Sequence, residues 1–150
     1  MRRYHLSKKK IKEIKNKLAM EIWEDGSYEI VEGEFVIILK DGGPVYFYHE
    51  EKYYPTLPLL WKTTPERSFV TVDMGAVKHI LNGANIFAAG IVDADPLIKK
   101  GDCVYVRDEK YKKAIAIGLA MMNGKEMKLS KEGLAVKNLH YYGDKIFKMF

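Results

Sequence analysis

Val70-Thr-Val-Asp-Met-Gly-Ala-Val-Lys-His-Ile-Leu-Asn-Gly-Ala-Asn-Ile-Phe-Ala-Ala-Gly-Ile91 is the stretch that decides the fold of this chain. Val70 and Val72 alternate with polar neighbours, the period-two signal of a half-buried strand. Asp73 follows as an N-cap, because its side-chain oxygen can take up a free N–H of a helix's first turn. On a helical wheel Val77, Ile80 and Leu81 share one face, with Met74 and Ala76 flanking them; Gly75, Lys78, His79 and Asn82 share the other. Gly83 stands where a helix C-terminus calls for a left-handed residue. The stretch therefore reads as a strand, a short capped helix over 73–82, a tight turn and a second strand. Its outer face is cationic at Lys78 and notched at Gly75. That suits the close approach of a phosphate backbone better than it suits a catalytic centre.

Three further blocks follow in order: Lys100-Gly101-Asp102-x-Val104-x-Val106, Ile117-Gly118-x-Ala120-x-Met122, and Gly133-x-Ala135-Val136-x4-His140-Tyr141-x-Gly143-Asp144. With Val72-Asp73-x-Gly75-Ala76-x4-Leu81-x-Gly83-Ala84-Asn85-x3-Ala89-Gly90-Ile91 they resemble the signature of the PUA domain, an RNA-binding module. One departure is Ala88-Ala89, where many members carry a proline before the glycine. The resemblance implies a pseudo-barrel of about six mixed strands with one main helix over residues 66–150. It also implies that the helix and the loop after it form the RNA-contacting side, so Lys78, Gly83, Ala84, Asn85, Phe87, Ala88 and Ala89 carry over as candidate contacts, with Gly75 beside them. Read from the residues alone, the glycines and Asn85 serve equally well to build the turn, and Phe87 to fill the core.

Upstream, Ser7 can cap a helix running to about Met20 or Ile22. Leu6, Ile11, Ile14, Leu18 and Ile22 make its apolar stripe, and lysines occupy most of the remaining circumference. Lys8, Lys10, Lys12 and Lys15 are candidate phosphate contacts; the alternative is a solvated lysine face. Strand-like runs follow at Tyr28–Val31, Phe35–Leu39 and Val45–Tyr48, the last two flanking the turn Asp41-Gly-Gly-Pro44. Tyr53-Tyr-Pro-Thr-Leu-Pro-Leu-Leu-Trp61 carries two prolines and is expected to run extended, with Leu57, Leu59, Leu60 and Trp61 buried between the halves. Thr63–Arg67 is the candidate linker. The expected class is α+β: a small helix-plus-antiparallel-sheet domain over 1–65, then the PUA pseudo-barrel over 66–150. The N-terminal order, with Tyr54-Pro55-Thr56-Leu57-x-Leu59-Leu60, is similar to the malignant-T-cell-amplified-sequence family and its archaeal relatives. That resemblance implies RNA binding in translation, on the small ribosomal subunit and near tRNA.

Charge is unevenly divided. The net charge of +5 separates into +7 over residues 1–20, −6 over 21–69 and +4 over 70–150. A basic arm, an acidic middle and a mildly basic end point to a polyanionic partner more strongly than the total does. Cys103 is the single cysteine, which suits a reduced, cytoplasmic setting. The start, Met1-Arg-Arg-Tyr-His, does not read as a secretory signal, and no apolar run reaches membrane-span length. His5, His49, His79 and His140 lack the spacing of a zinc site, and no cofactor is expected. The N-terminal acids show no pairing with a base or nucleophile, and there is no phosphate-binding glycine loop or nucleophile elbow. The expected function is therefore non-catalytic binding of structured RNA, tRNA or ribosomal RNA. The resemblance further implies, as partners, the small ribosomal subunit and an initiation-factor-like protein; no membrane partner is expected. Two alternatives stand beside it: an interaction subunit docking such a protein, and an accessory RNA-binding subunit of an RNA-modifying enzyme. Lys110–Lys113, with Tyr111 among them, form a further basic loop that could stack a base.

Overall fold

The computed structural model describes residues 1–149. The apolar runs of the N-terminal half have side chains to bury on both faces, and the fold covers both. Strands β1 (Arg2–His5), β2 (Tyr28–Glu32), β3 (Val36–Lys40), β4 (Gly43–His49) and β5 (Lys52–Pro55) form an antiparallel sheet in that order. In register, Val31 faces Ile37, Ile37 faces Phe47 and Phe47 faces Tyr54, so one row of large side chains crosses four strands. Ile30, Ile38 and Tyr46 make the matching row on the opposite face. Helix α1 (Lys8–Lys15) covers that second face through Ile14, which is fully buried with Tyr28, Ile30, Ile38, Tyr46 and Tyr53. The β3–β4 hairpin turns at Asp41 and Gly42, with φ of 49° and 80°. Such a pair follows the right-handed twist of the strands, and glycine takes its position without steric cost.

Two expectations for this half need correction. The first helix stops at Lys15 with Asn16 as its C-cap, well short of Met20. Beyond it the backbone pairs with β5: Tyr53 N–H donates to Lys17 O at 2.9 Å and Ala19 N–H to Tyr53 O at 2.8 Å. Leu18 and Ile22 continue the apolar stripe, but an extended chain buries them equally well and also satisfies the edge of β5. The segment after Tyr54 is likewise not extended throughout. Thr56 caps a helix, α2 (Leu57–Thr63), whose first turn holds Pro58. Proline is tolerated there because that N–H has no intrahelical acceptor. Strand β1 is an additional element for which no expectation was drawn.

The second sheet is built from β6 (Phe69–Val72), β7 (Ile86–Phe87), β8 (Ile91–Ala94), β9 (Cys103–Asp108), β10 (Ala114–Ala120) and β11 (Leu134–Tyr141). Their order is β7-β11-β10-β9-β6-β8, antiparallel except where β6 runs parallel to β9. The two outer strands, β7 and β8, are separated in sequence only by the 3₁₀ turn Ala88–Gly90. Three residues thus tie one edge of the sheet to the other, so the sheet curls into a nearly closed barrel. Helix α3 (Met74–Ile80) plugs one side of it. A second helix, α4 (Gly124–Leu129), adds to the single one expected. Its N-terminus is capped by Glu126, whose carboxylate accepts from Asn123 N–H at 3.1 Å. The interior holds Val70, Val72, Ile80, Ile91, Val104, Val106 and Val136.

The halves share a core. In β9 the residues alternate: Val104 and Val106 point into the barrel, Cys103 and Tyr105 point out. Cys103 and Tyr105, with Ala114 and Ile117 of β10, pack against Val31, Ile37, Phe47 and Tyr54 of the first sheet and Leu57 and Leu60 of α2. Burial here pushes the Cys103 thiol up to about 12, so it stays protonated and unreactive. Trp61 donates its indole N–H to Ala114 O at 2.8 Å, and Tyr105 donates its hydroxyl to Pro65 O. The molecule is layered: α1, then the first sheet, then the barrel. No helix among the described residues is long and apolar enough to cross a membrane.

Candidate nucleic-acid interface

Asp73 starts α3 as its sequence suggests, with Oδ1 accepting from Ala76 N–H at 2.9 Å. Val77, Ile80 and Leu81 turn inward, while Gly75, Lys78 and His79 are exposed. Met74 lies outward too, against the expectation that it flanks the apolar face. The turn after the helix is shaped by Gly83, at φ +91°; a Cβ there would press to 3.3 Å of the Tyr141 ring. Asn138 of β11 clamps this turn. Its Nδ2 donates to Ile80 O at 3.2 Å and Ala84 O at 3.0 Å, and its backbone N–H donates to Asn85 Oδ1 at 2.9 Å.

Between α3 and the 84–90 segment lies a groove of about 290 Å³. Ala76, His79 and Ile80 form one wall, and Ala84, Asn85, Ile86 and Phe87 the other. Gly90 lets the walls approach, since a Cβ there would stand 3.2 Å from Ala76 Cβ. Phe87 is 55% exposed, an unusual position for a phenylalanine in a well-packed barrel. Lys131 comes to the same seam, with Nζ 3.5 Å from Ile91 O.

The candidate contacts divide by their exposure. Gly75, Lys78, Gly83, Ala84, Asn85, Phe87 and Ala89 are exposed around the groove. Ala88 is not: it is fully buried in the barrel core and its N–H donates to Gly133 O at 2.9 Å. Its place in the closing turn points its methyl inward, so it shapes the loop without touching a macromolecule. Asn85 already spends its side-chain oxygen on β11, leaving only its NH₂ free for a partner. His79, not Lys78, lines the groove; Lys78 stands beside it on the outer helix face. The wheel places His79 on the same exposed face, but nothing in the pattern marks it as a groove wall. Lys8, Lys10, Lys12 and Lys15 are exposed on α1. They lie across the first sheet from the barrel, so the structure does not bring them together with the groove. Lys10 is partly engaged by Glu13 at 3.4 Å.

His140 is structural in its contacts. It is fully buried, its Nδ1 lies 2.8 Å from Asp144 Oδ2, and its Nε2 lies 3.3 Å from the Leu57 amide N. An amide can only donate, so Nε2 accepts and Nδ1 carries the proton. The ring thereby ties the end of β11 to the start of α2. Among the described residues no three His, Cys, Asp or Glu side chains converge as metal ligands would.

The fold and groove define a two-unit α+β protein in which a nearly closed barrel carries a helix-walled groove at its seam. The PUA domain matches residues 69–142, and a domain of unknown function, DUF1947, matches 2–63. An uncharacterized protein of Methanocaldococcus jannaschii is 49% identical, over 97% of this chain and 95% of its own. Translation machinery-associated protein 20 of Schizosaccharomyces pombe is 35% identical over 77% of this chain and 62% of its own length. Malignant T-cell-amplified sequence 1 of Rattus norvegicus is 28% identical, over 77% and 66%. Among solved structures, a conserved PUA domain protein from Thermoplasma acidophilum superposes with a TM-score of 0.85 at 34% identity, over 99% of both chains. The chain belongs to the PUA-domain protein family, in the group that carries a DUF1947 unit ahead of the PUA domain.

Proposed function

We propose that this protein is a non-catalytic RNA-binding protein of the translation apparatus. The groove between α3 and the 84–90 segment is its RNA face, and tRNA or ribosomal RNA of the small subunit is its ligand. The observation that carries this is the exposed Phe87 at the lip of an apolar groove walled by His79, with Lys78 beside it on the outer face of α3 and Lys131 near Ile91 at the same seam. A ring on the surface beside cations offers a stacking platform with phosphate contacts around it. Recognition of a folded RNA then rests on backbone and shape, with one unstacked base against Phe87. The kinship with proteins named for the translation machinery supports the cellular role and, with it, a cytoplasmic setting. The lysines of α1 form a separate, weaker contact on the far side of the first sheet, through long-range attraction.

The test is a titration of labelled tRNA at several salt concentrations. Wild type is compared with Lys78→Glu, with Phe87→Ala, and with a variant in which Lys8, Lys10, Lys12 and Lys15 are glutamine. Lys78→Glu is expected to weaken binding and flatten the salt slope by about one. Phe87→Ala is expected to cost about 1–3 kcal/mol of binding without changing that slope. The glutamine variant is expected to flatten the slope and lower affinity only modestly. Unchanged affinity in both groove variants would refute the assignment. Binding to an initiation-factor-like protein, with no RNA binding at any salt, would identify the protein as an interaction subunit instead.

A further inference from the structure

A second basic and aromatic surface lies where the two halves meet, and the groove does not include it. It is a cleft of about 490 Å³ lined by Trp61, Tyr105, Arg107, Lys112 and Lys113, with Glu66 its one carboxylate. The indole of Trp61 is pinned by its bond to Ala114 O, and the Lys113 ammonium sits 4.4 Å above its ring. Tyr142, 47% exposed, stands beside it with ring centroids 6.0 Å apart. Arg107 lies 4.0 Å above Phe69 and gives only Nε to Thr71 Oγ1, at 2.9 Å. Among the described residues none of Arg107, Lys112 and Lys113 has a carboxylate within ion-pair distance. Asp108, which could have neutralised them, is buried and accepts the backbone N–H groups of Tyr111 and Lys113 at 2.6 and 3.0 Å. The loop carrying the lysines is therefore a braced rim holding three uncompensated cations over an aromatic floor.

We infer that this cleft is a second RNA contact, one that takes a single-stranded segment: phosphates on Arg107, Lys112 and Lys113, and an unpaired base on Tyr142. The inference goes beyond the groove and rests on the reading above only in taking RNA as the polyanion. The cleft and the groove are built on different strands of the barrel. The cleft is built on β9 and β10, in the middle of the sheet order, whereas the groove lies at the β7–β8 seam. Cations spaced along a rim beside exposed rings match the way single strands are held, by backbone tracking and base stacking.

The probe is a twelve-residue oligouridylate, titrated into Trp23→Phe protein so that Trp61 is the sole tryptophan. Binding is expected to change Trp61 fluorescence and to weaken with salt. Lys112→Glu with Lys113→Glu should lower affinity at least about tenfold and flatten the slope of log K against log salt by about 1.4. Tyr142→Ala should lower it about tenfold with the slope unchanged. Lys78→Glu should weaken tRNA by more than it weakens oligouridylate, whose binding should stay sensitive to the cleft variants in that background. The cleft assignment is overturned if the double lysine variant binds oligouridylate like wild type. It is also overturned if polyglutamate binds as tightly, with the same salt slope and no dependence on Tyr142, since that marks a site for acidic protein. A Lys78→Glu effect absent on tRNA with the cleft variants still defective would fail the groove alone.

Discussion

Asp144 shows how one buried carboxylate holds the closing turn. Its oxygens accept from His140 Nδ1, from Tyr141 N–H at 2.9 Å and from Phe147 N–H at 2.8 Å. Burial alone would raise its carboxyl, but the hydrogen bond from His140, with the two amides, holds it below the ordinary value. A carboxyl depressed in the folded state contributes stability above its unfolded pKa, near 3.9, and loses it as pH falls through the folded one. Asp144→Ala should therefore lower stability by about 2–4 kcal/mol at neutral pH. In denaturant melts from pH 6 to pH 2, its deficit against wild type should shrink only below about pH 4. A deficit constant over that range would contradict the linkage. At the groove, Phe87→Ala should change unfolding free energy by less than about 1 kcal/mol, because the ring is more than half exposed. Its loss of RNA affinity then reports contact rather than misfolding. Single positions were the least legible in the sequence. The block that places Lys78 and Asn85 beside the turn places Ala88 there too, yet the strand closure that buries Ala88 depends on β11, fifty residues on. His79 becomes a groove wall only because Gly90 lets Ala76 approach.

Helices α1 and α2 show where periodicity carries and where it fails. Ser7 and Thr56 each cap as their chemistry dictates, accepting from Lys10 N–H at 3.1 Å and Leu59 N–H at 3.4 Å. Thr56 Oγ1 also donates to Pro44 O at 2.8 Å, so Thr56→Ala removes a cap and a tie to β4 together. It should cost about 1–2 kcal/mol, read as a shift in denaturant midpoint with an unchanged m-value. On α1, Lys8 and Lys12 repel at i,i+4 with no offsetting acid between them. Replacing Lys8, Lys10, Lys12 and Lys15 by glutamine should leave the melting temperature unchanged or slightly raised at low salt. A clear fall would mean that those lysines hold the helix to the sheet. The length of α1 was not legible, because Leu18 and Ile22 suit a helix and an extended chain alike. The open edge of β5 settles it, and that edge is a tertiary fact. The caps at Ser7 and Asp73 and the turn Asp41-Gly-Gly-Pro44 were legible because each acts within four positions.

At the scale of the molecule, the two sheets do not have separate cores along their contact. Val31, Ile37, Phe47 and Tyr54 share one buried cluster with Cys103, Tyr105, Ala114 and Ile117. One unfolding transition is therefore expected, with calorimetric and van't Hoff enthalpies equal. Two separated transitions would show that the halves melt independently. The strand runs announce this in part: Ile30-Val31 and Ile37-Ile38-Leu39 are too continuously apolar for a sheet with a wet face. What covers each face was not written there. The proposed RNA face on the barrel seam can be read residue by residue through amide chemical-shift mapping. On adding a tRNA acceptor-stem hairpin to ¹⁵N-labelled protein, the largest shifts should fall within 75–79 and 84–90. Shifts confined to the first sheet and α1, with residues 74–90 unmoved at saturation, would contradict it.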